Sequence, residues 1–336
     1  MVVVNLVVML LLIVVAAEVF TNALEHLGAR LGISEGVTGS LFAAVGTALP
    51  ESLVPILAIF AGTGNEQVNQ EIGVGAILGA PLMLSTLTMC LMGLVVVGKR
   101  GLRGAMAPEP TGLARDLNFF LLSFGIALLA LLLPFRGGYL GIVVATMGSS
   151  LVLVYFIYVM LTLRVSAQLV QDGHGTEAHR PLFLCYLRLP DVMVVIFAQL
   201  LLGLILLIAG AEGFIHAVEV TSREFGISAL LLSLLIVPIA TELPEKVNSI
   251  LWIRRRKDTL AFGNITGAMV FQGSMLPAIG ILFTPWEMRS EVLVGVLVTL
   301  AAAMWLRYVT LRGHIRVWML FVNGGLYVAY LAIMLL

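Results

Sequence analysis

Apolar runs of about 20 residues recur from one end of the chain to the other, separated by short polar clusters. A helix of that length crosses the roughly 30 Å hydrocarbon core of a bilayer. The pattern predicts ten spans, over 2–24, 33–60, 71–97, 117–134, 138–163, 192–218, 227–252, 260–283, 290–306 and 315–336. The polar stretch 164–191 between the fifth and sixth spans reads as a cytoplasmic linker too short to fold as a domain. It divides the chain into a first membrane repeat, 1–163, and a second, 192–336.

Composition agrees with a membrane chain. Of 336 residues, 60% are hydrophobic and 11% charged, and mean hydropathy is +1.07. A soluble domain carries roughly twice that share of charge. The formal net charge is zero, which gives no sign of nucleic-acid binding. Cys90 and Cys185 read as ordinary small apolar residues, not a disulfide or a metal pair. The apolar stretch 1–17 lacks a basic flank and runs into a repeated motif, so it reads as a retained first helix. With ten spans, 15 basic residues fall in the loops of one side and only Arg136, Arg223 and Arg289 on the side of the termini. The positive-inside rule then places both termini outside; the expected location is a prokaryotic inner membrane.

A repeated phrase supplies the candidate chemistry. Thr47-Ala48-Leu49-Pro50-Glu51 recurs as Thr241-Glu242-Leu243-Pro244-Glu245, an offset of 194 residues. The ungapped match reaches back to 17 and 211, with identities at Glu18, Phe20, Glu25 and Gly32-Ile33-Ser34 among others. After the phrase the offset falls to 188, and Gly75-Ala76-Ile77-Leu78-Gly79-Ala80 aligns with Gly263-Asn264-Ile265-Thr266-Gly267-Ala268. Each unit holds five spans. An odd number sends the second unit into the membrane from the opposite side, so the expected fold is all-α, with ten transmembrane helices as two inverted five-helix repeats.

Each phrase places a carboxylate and a helix-breaking proline inside a span, where a charge is costly and marks function by default. Pro50 and Pro244 lack an N–H and free the carbonyls of Gly46 and Ala240, and Pro55 and Pro238 add further breaks. Freed carbonyls at membrane depth need protein or an ion to satisfy them. Carbonyl, threonine and carboxylate oxygens together suit a hard cation. Thr47 and Glu51 stand i, i+4, as do Thr241 and Glu245. The small residues of 75–80 and 263–268 predict close helix approach.

With these phrases in view, the chain resembles the cation/calcium antiporter superfamily, whose best-known members are sodium/calcium exchangers. The resemblance covers nearly the whole chain. It rests on Gly46–Glu51 and Ala240–Glu245 as the G-T-S-L-P-E phrases, and on 75–84 and 263–272 as the G-N-x-x-G-S-N-x-x-N phrases. It implies that Glu51 and Glu245 ligate a transported calcium, with Thr47 and Thr241 contributing, and that the first and sixth spans slide against a fixed core. The family serines are replaced here by Ala48, Glu242, Ala80 and Ala268, and the closing polar residues are Leu84 and Gln272. Glu242 and Gln272 therefore join the candidate cation ligands, while several sodium-type oxygens are missing.

Lys246 follows Glu242 by four residues, a spacing that suits an ion pair. Three roles stay open for it: neutralising Glu242, standing in for a bound monovalent cation or losing a proton during transport, or snorkelling to the cytoplasmic end. Glu18 and Glu212 occupy matched places and read as structural hydrogen-bonding groups. His216 reads as a packed helix residue, and Asn248 and Ser249 lie one turn beyond Glu245. Asp172, His174, Glu177 and His179 read as a solvated linker.

The spans hold no Ser/His or paired-Asp constellation, no HExxH and no P-loop, so an enzyme is not expected. No cofactor and no obligate protein partner is expected. The expected partners are the bilayer and inorganic cations: calcium, sodium and/or protons. The expected function is a secondary-active cation antiporter exchanging calcium or another cation against sodium or protons. The alternatives are sodium/proton or other cation/proton exchange without calcium, and a cation channel.

Overall fold

The computed structural model describes residues 2–30, 44–62, 65–133, 139–170, 181–313 and 315–335. The helices are α1 (Val2–Arg30), α2 (Ala44–Ala61), α3 (Glu66–Met83), α4 (Met89–Arg100), α5 (Pro110–Leu132), α6 (Tyr139–Val170), α7 (Met193–Phe225), α8 (Ala229–Thr241), α9 (Leu243–Arg254), α10 (Asp258–Phe283), α11 (Ser290–Leu311) and α12 (Val317–Leu335). A π-helical turn, Leu84–Thr88, joins α3 to α4 without a break in the rod, and a short 3₁₀ helix covers Phe183–Leu187. The strands β1 (Ala105–Met106) and β2 (Ile315–Arg316) pair antiparallel, Ala105 opposite Arg316.

Among the described residues, eight helical stretches are long and apolar enough to cross a membrane, and two shorter apolar helices lie at 51–61 and 229–239. Helix α2 spans the first repeated phrase, and the second lies at the junction of α8 and α9. Proline removes a donor and crowds the preceding turn, and the junction of α8 and α9 carries Pro238 and Pro244. The seventh expected span is therefore not one helix over 227–252: it breaks at Glu242 into α8 and α9.

Two compact units emerge, Met1–Asn69 with Phe156–Ile227, and Gln70–Tyr155 with Ser228–Leu336. Each takes helices from both sequence repeats. In the first unit α1 and α7 pack along their lengths. A Cβ on Gly203 would meet the Phe20 backbone at 2.9 Å, one on Gly210 the Ile13 side chain at 3.0 Å, and one on Gly213 the Met9 sulfur. Partner numbers fall as the glycine numbers rise, so the two helices run antiparallel over a seam of small residues. The linker end is tied to the same pair. Gln199 Nε2 donates to the Val19 carbonyl at 3.0 Å and to Asn22 Oδ1 at 2.8 Å, and Asn22 Oδ1 also accepts from the Phe183 N–H.

In the second unit α3 lies against α8. A Cβ on Gly75 would sit 2.6 Å from the Leu230 carbonyl, and one on Gly79 would run into the Leu234 carbonyl. Leu234 is the residue whose carbonyl Pro238 frees. The close approach expected of 75–80 is thus present, and it places helix against helix where the ladder is broken. The expected counterpart at 263–268 differs, since Gly263 is exposed and meets no described atom within 4 Å. At the end of α4, Arg100 makes a two-pronged pair with Asp258, 2.9 and 2.8 Å, and its second arm also donates to the Ile253 carbonyl. Large apolar side chains such as Tyr139, Leu153, Phe197 and Leu201 point outward, as lipid-facing surface requires.

Candidate functional site

Helix α8 is almost wholly apolar up to Pro238, and α9 opens with Pro244 and Glu245 in its first turn. Glu242 stands between them at φ −89°, ψ 5°, outside helical geometry. Its N–H still reaches the Pro238 carbonyl at 3.3 Å, and its own carbonyl accepts from the Lys246 N–H at 3.1 Å. The break therefore brings the carbonyl end of one short helix and the amide end of the next into one place. The first attracts cations and the second anions.

The charged side chains obey that polarity. Glu242 is fully buried, with Oε1 accepting from Gln272 Nε2 at 2.7 Å. Oε2 of Glu242 and Oε1 of Gln272 are buried with no hydrogen-bond partner. Glu245 is buried in the first turn of α9, within electrostatic range of Glu242. Lys246 is 9% exposed; its ammonium donates to the Pro238 carbonyl at 2.7 Å and contacts the Met83 sulfur at 2.9 Å. Thr241 is buried, its hydroxyl donating to the Val237 carbonyl. Two carboxylates and one ammonium leave this cluster with a net charge of one negative when all three are ionised. Buried charge of that kind is costly without a counter-charge. The orphaned oxygens are hard donors of the sort that bind calcium or sodium.

The sequence-predicted residues thus divide. Thr241, Glu242, Glu245, Lys246 and Gln272 come together in the second unit. Glu51 is buried in α2 of the first unit. The side chains of Thr47, Pro50, Pro244 and Asn248 lie outside the described residues, as do Gly32–Ser34 and Asp172–His179. Glu18 and Glu212 are both exposed, and His216 is exposed and not packed. His216 misleads because helical spacing alone does not say which face of α7 meets a neighbour.

Two residues were missed. Asn264 donates to the Glu245 carbonyl at 3.1 Å and to Ser249 Oγ at 3.0 Å, tying α10 to α9 beneath the carboxylate. Its place in the repeated phrase was the available signal. Met83 had none, because a methionine in an apolar span reads as packing. Among the described residues no three His, Cys, Asp or Glu side chains converge. Cys90 and Cys185 are free thiols.

A family model of the sodium/calcium exchanger protein matches residues 1–164 and 195–336. The inner membrane protein YrbG of Escherichia coli (strain K12) is 26% identical over 282 residues, 84% of this chain and 80% of YrbG. Among solved structures, the H+/Ca2+ exchanger CAX superposes with a TM-score of 0.72 at 19% identity, covering 100% of this chain and 82% of that one. The sodium-calcium exchanger NCX_Mj superposes with 0.59 at 20% identity, covering 99% of both chains. These two likenesses carry the fold. With its repeated proline–glutamate phrases and a family match on both sides of the linker, this multi-pass membrane chain belongs to the sodium/calcium exchanger family of antiporters.

Proposed function

We propose that the protein exchanges a divalent cation of the calcium type against protons by alternating access. Glu51 and Glu245 are the principal ligands, and Thr47, Thr241, Glu242 and Gln272 supply further oxygens. The observation that carries this reading is the buried Glu242–Gln272 pair at the α8–α9 break, with one unpartnered oxygen on each residue, beside Glu245. Calcium is favoured because carboxylate, amide and carbonyl oxygens are its usual ligands, and both solved relatives are called calcium exchangers. Protons are favoured over sodium because Ala80, Leu84 and Ala268 offer no side-chain oxygen.

The α1–α7 pair packs antiparallel over a seam of small residues, which supports its moving as one body during access. The loop charges support termini outside, and the likeness to YrbG supports an inner-membrane location. Calcium uptake into proteoliposomes, with an imposed pH gradient in one arm and a sodium gradient in the other, tests the proposal. Uptake driven by the pH gradient is expected. Uptake driven only by sodium overturns the counter-ion, and none in either arm overturns the substrate.

A further inference from the structure

Half-helices that end at membrane depth expose carbonyls, and such C-terminal ends are where mobile monovalent cations bind in transporters. Here α8 ends in that way, and a cation is already present. The Lys246 ammonium lies 2.7 Å from the Pro238 carbonyl, which is close to ideal for a charge-assisted hydrogen bond. The side chain starts on α9 and reaches back across the break to α8, the half-helix whose negative end faces it. We propose that Lys246 is a tethered counter-ion that occupies the place of a mobile monovalent cation at the α8 carbonyl end, so that this exchanger carries out its cycle without sodium. The inference rests on the antiporter reading of the same site.

Three observations support it beyond the single hydrogen bond. The ammonium is buried, so it does not snorkel to water. It also contacts the Met83 thioether, a weak acceptor that leaves the Pro238 carbonyl as the stronger of these two partners. Finally, Glu242 and Glu245 lie in the electrostatic neighbourhood of that ammonium. A fixed positive charge there offsets one of the two carboxylates permanently, which a mobile ion does only while bound.

The test is to remove the tether and ask whether sodium fills its place. Purified Lys246→Ala, Lys246→Gln and Lys246→Arg are compared with the unaltered protein in two assays. One is thermal unfolding in detergent with added lithium, sodium or potassium; the other is calcium uptake into proteoliposomes with and without sodium. Sodium is expected to raise the unfolding temperature of the Ala and Gln variants and to increase their uptake by about tenfold, the coupling typical of one bound ion. The unaltered protein and Lys246→Arg are expected to ignore it. Ala and Gln variants that fold yet show no response to any of the three ions overturn the proposal. So do variants that fail to fold with or without sodium, since a vacated cation site should be rescued by its ion. If the unaltered protein moves no calcium under any gradient, the antiporter reading fails. A sodium-stabilised Ala variant would still sustain the tethered ion in that case.

Discussion

Residues 75–84 of the first repeat and 263–272 of the second stand at matching places, yet the rods that carry them do different work. In α3, Gly75 and Gly79 press onto the backbone of α8, and the matched ligand position is the apolar Leu84. A π turn follows at Leu84–Thr88, burying Ser85, Thr86 and Thr88, and Asn323 of α12 donates to the Ser85 carbonyl at 2.7 Å. In α10 the helix stays α-helical through Pro277, Gly263 is open, and Gln272 reaches Glu242. One rod has become close-packed support for the broken helix, and the other presents the polar group to it. The difference teaches that a duplicated motif keeps its geometry only where both copies keep the same neighbours.

The largest effects should come from the carboxylates. Glu245→Gln and Glu51→Gln are each expected to abolish cation-driven transport while leaving a folded protein, read by proteoliposome flux beside size-exclusion chromatography. Full transport in either variant would remove that residue from the site.

Next is the clasp that joins the two rods, Arg100 at the end of α4 with Asp258 at the start of α10. Their side chains are 7% and 9% exposed. Asp258→Ala leaves a buried guanidinium without its partner and should cost about 3–5 kcal/mol, measured by thermal unfolding in detergent. Gly79→Val should cost about 3 kcal/mol or more, because the added atoms meet the Leu234 carbonyl and the Pro238 ring with no room to yield.

Gln272→Leu, which copies the first repeat into the second, removes the donor to Glu242. It should cost about 1–3 kcal/mol and lower calcium uptake. If uptake and its cation affinity are unchanged, the two rods do not differ in the way described. Smallest is Gly263→Ala, the counterpart of the Gly79 change at an open site. It should be neutral or stabilising by up to about 1 kcal/mol. A loss as large as that at Gly79 would mean that both patches pack tightly.

Much of this was legible in the residues. Glu51, Glu242, Glu245 and Lys246 stand out because charge in a span is rare, and Pro50 and Pro244 because a proline inside a helix needs a reason. Gln272 was found only by matching the repeats. Less was legible where the backbone departs from a helix. The i, i+4 spacing of Glu242 and Lys246 suggested an electrostatic pairing, which the structure keeps, but gave no sign that the ammonium also reaches Pro238 and Met83. His216 and the open Gly263 went unread for a related reason, because exposure depends on which helix lies opposite.

The amino-acid sequence by itself determined the all-helical membrane class, the repeated phrase and the charged residues that it carries. Bilayer thickness sets the length of an apolar run, and duplicated residues can be matched without knowing where they lie. Only the tertiary structure decided that the compact units cut across the repeats, that the first third-span rod turns through a π segment, and that Lys246 sits on the end of α8. Those outcomes depend on a few backbone angles at a helix break and on contacts between residues more than 150 positions apart, and no local pattern encodes either.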